Sequence, residues 1–171
     1  MNFTKTTEQS SKYEHLEKMS VSDLLSNINN EDNFVDEGQF TKLSLGFDSA
    51  NNYHRQILLG FMNQYATSGF DNGYDGLSFE SLSNDMYFLN NGTKLNIQGD
   101  GYFNVNNIYP IGVKNSVAGI VKFGIDIAEN LEDNQNVYIY DNVTNEYHDI
   151  KSQQIEINLP AGTFDNRFSL R

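Results

Sequence analysis

Runs of apolar–polar alternation fill the sequence from residue 39 to residue 171. They constrain the fold more than any other feature. FTKLSLGFD sets Leu43, Leu45 and Phe47 on one face, and YHRQILLGF sets Ile57, Leu59 and Phe61 together. TKLNIQG offers Leu95 and Ile97, and GIVKFGIDIA offers Val121, Phe123, Ile125 and Ile127. NVYIYDN contributes Val137 and Ile139, QQIEINLPAG contributes Ile155, Ile157 and Leu159, and RFSLR contributes Phe168 and Leu170. Period-two patterning buries one face of a strand and wets the other. Turn signals fall between the runs, at residues 90–92, 99–101, 141–145 and 160–162. Many short strands with no strong helix between them predict an all-β domain over residues 39–171, an antiparallel two-sheet β-sandwich of jelly-roll type. An up-and-down barrel has the same pattern and stays open.

Composition supports strands and turns. The 171 residues include 24 Asn, 13 Gly, 10 Tyr and 12 Phe, but no Trp and two Pro. Aromatic residues suit a pleated, half-buried surface, and Asn and Gly suit turns. The net charge of −12 opposes a phosphate-backbone binder and an anionic membrane surface, so no nucleic-acid partner is expected. Apolar runs are only a few residues long, so no membrane insertion by a helix is expected. The absence of Cys removes disulfides, thiolate zinc sites and cysteine nucleophiles.

Residues 1–38 differ from the rest. YEHLEKMSVSDLLSNI places Tyr13, Leu16, Met19, Leu24, Leu25 and Ile28 at loosely helical spacing, with Ser20 or Ser22 as a cap. The expectation is a weakly structured N-terminal arm with a short helix. No signal-peptide core is present in it.

The stretch between Phe61 and Asp85 has no period and is rich in Gly, Ser and Asn. A connection this long is usually functional or disordered. Its aromatic residues predict an ordered, packed loop. Tyr65, Phe70 and Tyr74, with Tyr87 just beyond, form one candidate ligand-binding set. Their rings suit the C–H faces of sugars, and neighbouring Asn63, Gln64, Asn72 and Asn84 suit hydroxyl groups. The alternative is that these rings pack the loop onto the sheet. Asp71 and Asp75 are the candidate metal ligands, with calcium the cation that hard oxygens select. The EF-hand pattern fails, because Gly73 and Leu82 stand where an oxygen ligand is needed. A tight turn braced by its own Asp and Asn side chains is the other reading.

Enzyme signatures are missing. The sequence holds no G-x-S-x-G elbow, no P-loop and no HExxH. His15, His54 and His148 lack metal-ligand spacing. Asp126, Glu129, Glu146 and Glu156 could supply a glycosidase carboxylate pair, but no spacing singles one out. No catalytic residue is assigned, and no cofactor is required, with calcium the one metal the residues suit.

Five segments occur in a telling order: YHRQILLGFMNQYATSGFDNGYDG, NDMYFLNNGTKLNIQGDGYFN, YPIGVKNSVAGIVKFGID, VYIYDNVTNEYHDI and LPAGTFDNRFSLR. Together they resemble the β-rich module that precedes the type IX secretion sorting segment in large secreted and surface proteins of Bacteroidota. The resemblance runs from about Phe40 to Arg171. It implies a non-catalytic structural or interaction module, extracellular or on the outer cell surface. Its partners would be other domains of a larger parent protein. A carbohydrate-binding module that takes polysaccharide, calcium-assisted and using the 63–87 loop, is the alternative. Asp48-Ser49-Ala50 also resembles the short site at which such bacteria attach sugars to exported proteins. Family members continue past the position of Arg171 and carry a leader, so the resemblance implies that both lie elsewhere in the parent.

Overall fold

The computed structural model describes residues 40–171. The arm expected over residues 1–38, with its helix, lies outside the described residues. Within them there is no α-helix, and eleven strands make up the domain.

The strands are β1 (Thr41–Asp48), β2 (His54–Phe61), β3 (Gly76–Leu77), β4 (Asp85–Asn90), β5 (Thr93–Asp100) and β6 (Tyr109–Asn115). They continue with β7 (Gly119–Glu129), β8 (Tyr138–Asp141), β9 (Glu146–Asp149), β10 (Ile155–Leu159) and β11 (Gly162–Leu170). One hydrogen-bond ladder runs unbroken in the order β10-β7-β1-β2-β5-β4-β6-β11-β8-β9, and β3 pairs with β5 beside it. The sequence predicted two separate antiparallel sheets. The structure has a single sheet that curls into a nearly closed barrel. It is not up-and-down, because β2 and β5 pair in parallel and several neighbours are distant in sequence.

Closure follows from where the apolar faces point. Phe47 of β1, Phe123 of β7 and Phe168 of β11 stack with centroids 5.3 and 5.1 Å apart. Strands β7 and β11 are far apart along the ladder, so only a sheet wrapped on itself brings these rings together. Leu43, Leu45, Ile57, Leu59, Met86, Phe88, Leu95, Ile111 and Val113 complete one core. Each large side chain buried this way contributes roughly 1.5–3 kcal/mol.

Two short links bind strands that are not ladder neighbours. Residues 116–118 join β6 to β7, and residues 160–161 join β10 to β11. The buried Asn115 side chain ties them. Its Nδ2 donates to Val117 O at 2.6 Å and reaches Pro160 O at 3.5 Å, while its Oδ1 accepts from Ala50 N at 3.3 Å. One amide therefore joins three connections at one end of the barrel.

Two expected apolar positions face solvent instead. In β7, Ile125 opposes Leu45 and Ile127 opposes Ser44, so Asp126 is an extra residue. This bulge turns Ile127 to the outer face, where it is exposed. In β5, Leu95 opposes the core residue Phe88, whereas Gln98 opposes the core residue Leu59. The inward face therefore switches near Asn96. Ile97 is left outside, and Gln98 and Asp100 turn inward.

Candidate functional site

The loop over residues 62–84 is ordered, as expected. It holds a 3-10 turn at Asn63–Tyr65 and strand β3. The four candidate rings do not share a surface. Tyr65 packs edge-on to Phe40 at 6.1 Å, Tyr74 lies over Gly99, and Phe70 is exposed. Tyr87 is fully buried, so its ring is not available to a ligand. Its hydroxyl donates to Asp165 Oδ1 at 2.6 Å and accepts from Lys94 Nζ at 2.8 Å. Burial, then the Asp165 carboxylate, pushes the Tyr87 phenol well above its ordinary value. Among the described residues no ring contact joins any two of the four.

Asp71 and Asp75 lie in one turn, and both carboxylates accept N–H donors. Asp71 Oδ2 accepts from Thr67 N at 2.6 Å and Thr67 Oγ1 at 2.8 Å. Asp75 accepts from Asp71 N and from Gly99 N, each at 2.7 Å. This pattern braces the loop onto β5. No group of three or more His, Asp or Glu side chains poised for a metal occurs among the described residues. Ser49 is likewise a turn residue: it is buried, and its Oγ accepts from Tyr53 N at 3.0 Å.

The acidic residues available for a glycosidase pair are dispersed. Asp126 bonds His54 and Gln56, Glu129 faces Lys42, Glu146 faces His148, and Glu156 faces Lys122.

A different constellation converges at one end of the barrel. A groove of about 470 Å³ opens between residues 105–108 and residues 134–136. Tyr138, Tyr147 and Arg171 form its third side. It adjoins an apolar recess floored by Leu59, Phe61, Tyr109 and Leu170. Mouths of β-barrels are common ligand sites.

The sequence shapes each wall. Strands β8 and β9 pair with Tyr140 opposite Tyr147, and alternation puts Tyr138 on the same face as Tyr140. Tyr147 therefore meets both rings, at 5.8 Å from Tyr138 and 4.6 Å from Tyr140. The Arg171 guanidinium stacks over Tyr140 at 4.3 Å, and its backbone exchanges two hydrogen bonds with Tyr138, at 2.8 and 2.9 Å. The second wall hangs from a buried acid. Asp100 Oδ2 accepts from Tyr109 OH at 2.6 Å and Asn107 Nδ2 at 3.1 Å. Burial, then this bond to Asp100, drives the Tyr109 phenol above its ordinary range. The wall at residues 134–136 is held by Lys151, whose Nζ donates to the carbonyls of Glu132, Asp133 and Gln135 at 2.9, 2.8 and 2.7 Å. The groove is thus preformed, and Asn106, Asn107, Asn134, Gln135 and Asn136 supply amide donors and acceptors along it.

Sequence reasoning missed these residues. The usable signal was the other face of NVYIYDN: once Val137 and Ile139 are placed inside, Tyr138 and Tyr140 must face out together.

Residues 11–171 match the family described as Domain of unknown function (DUF8693). The chain belongs to this family. Comparison of this DUF8693 member with curated proteins and with solved structures returned no match. Among its described residues no helix is long and apolar enough to cross a membrane.

Proposed function

We propose that this DUF8693 domain is a non-catalytic binding module that holds a saccharide chain in the Tyr138–Tyr147 groove. In this reading it is carried by a larger secreted or surface protein exported by type IX secretion. One observation carries the binding assignment: tyrosine rings and five amide side chains converge on one preformed groove. Tyrosine rings pack on sugar C–H faces, and amides exchange hydrogen bonds with hydroxyls in both directions. The export assignment rests on the sequence resemblance.

Affinity electrophoresis through a panel of polysaccharides tests the binding assignment. A retained polysaccharide is expected. Tyr147→Ala should weaken its binding by about tenfold at an unchanged melting temperature, because Tyr147 is exposed and supports no core. Tyr74→Ala should leave binding intact. Retention that survives Tyr147→Ala but fails in Tyr74→Ala would move the site to the 63–87 loop. Absence of retention across the panel would leave the domain as a structural spacer.

A further inference from the structure

Arg171 lines the groove and differs in its partners from the other arginines. The sequence holds three arginines in a chain of net charge −12. Arg55 lies 2.9 Å from Asp85, and Arg167 forks onto Asp141. Arg171 has no carboxylate partner among the described residues. Its Nε donates to Ser169 Oγ and its Nη1 to Tyr147 OH, both at 3.3 Å, and Nη2 has no bond among the described residues. Among the described residues neither Asp nor Glu lines the groove. A guanidinium with no acid partner among the described residues, stacked on tyrosines and facing a cleft, is preorganised for an anion.

We propose that the groove selects acidic saccharides, with Arg171 receiving the carboxylate of a uronic-acid unit whose ring packs on Tyr147. This inference rests on the saccharide-binding reading above and adds the class of sugar. The rings and amides distinguish a sugar acid from a peptide acid: a polyglutamate chain offers the charge but no flat C–H face for Tyr147. The free guanidinium edge matches a planar carboxylate, which takes two parallel N–H bonds.

Titration calorimetry on the full chain tests it. Polygalacturonate, alginate and hyaluronan are each compared with their carboxyl-reduced forms, and polyglutamate serves as a charge control. At least one acidic polymer should bind about tenfold or more tighter than its reduced form. Arg171→Gln should abolish that difference, and Arg171→Lys should restore only part of it. The preference should shrink as salt rises toward 1 M, where exposed charges are screened within about 3 Å. Tyr147→Ala should weaken acidic and reduced forms alike. Equal binding of acidic and reduced forms, or a preference that survives Arg171→Gln, overturns the inference and leaves the saccharide reading standing. Polyglutamate binding as tightly as the polysaccharides also overturns it. Failure of every acidic and reduced polymer to bind overturns both.

Discussion

At the scale of single residues, the charged groups divide into buried anchors and an exposed pH-sensitive cluster. Asp141 is almost fully buried, and the Arg167 fork meets it at 2.8–3.1 Å. Burial pushes the Asp141 carboxyl up, but the Arg167 bonds and the Val143 N–H outweigh it and hold it below its ordinary value. The pair therefore stabilises the fold above the unfolded value of about 3.8 and is lost as pH falls through the lower folded value. Asp141→Asn should cost about 2–4 kcal/mol in urea unfolding at pH 7, because it strands a largely buried guanidinium. His54 behaves oppositely. Its Nδ1 lies 2.7 Å from Asp48 and its Nε2 3.1 Å from Asp126. The Asp48 bond raises the His54 value above 6.5 despite some burial. Its contribution is full below that value and fades as pH rises through the raised one. The urea midpoint should therefore fall as pH rises from 6.5 through the raised His54 value, and His54→Gln should remove that part of the slope. A slope unchanged in His54→Gln would assign it to other groups.

At the scale of elements, most strand faces were legible and the switches between faces were not. Leu43, Leu45, Phe47, Ile57, Leu59 and Phe61 point inward as their alternation demands. Ile127 and Ile97 do not, because a bulge at Asp126 and a change of ladder partner along β5 each reverse the parity. The switch in β5 has no glycine or proline beside it, whereas the bulge in β7 has Gly124 just before it and Gly46 opposite, where the Asp126 carboxylate packs. The close approach of β6 to β4 is marked only by a lone glycine within the strand. Gly112 lies against the Tyr87 ring so tightly that a Cβ there would overlap it. Gly112→Ala should therefore displace Tyr87 from Asp165 and cost about 1–3 kcal/mol by thermal unfolding. Gly92→Ala is the contrasting control, since an added Cβ meets nothing there and only its φ of +84° resists substitution. The Asn115 tie makes a further element-scale prediction. Asn115→Ala should cost about 1–3 kcal/mol, because it leaves the Val117 carbonyl and the Ala50 N–H without this partner. A loss below a few tenths would mean that water replaces the amide.

At the scale of the whole molecule, the barrel brings together what the sequence keeps apart. The all-β class was legible because alternation is local. The parallel β2–β5 pair and the closure were not, because both depend on which apolar faces meet across the core. The groove was hidden for the same reason. Its walls come from residues near 106, 135, 147 and 171, which become neighbours only when β11 returns beside β8. The 63–87 segment drew attention because it concentrates aromatics in sequence, yet its rings are spread over separate surfaces. The central claim is that the tyrosine-lined barrel mouth is the binding surface. Backbone amide shift mapping by NMR, with an oligosaccharide of a retained polymer, tests it most directly. The account predicts shifts concentrated at Asn106, Asn107, Asn134, Gln135, Asn136, Tyr147 and Arg171, with the Tyr65–Tyr74 loop unmoved. Shifts confined to that loop, or spread evenly over the barrel, would contradict it.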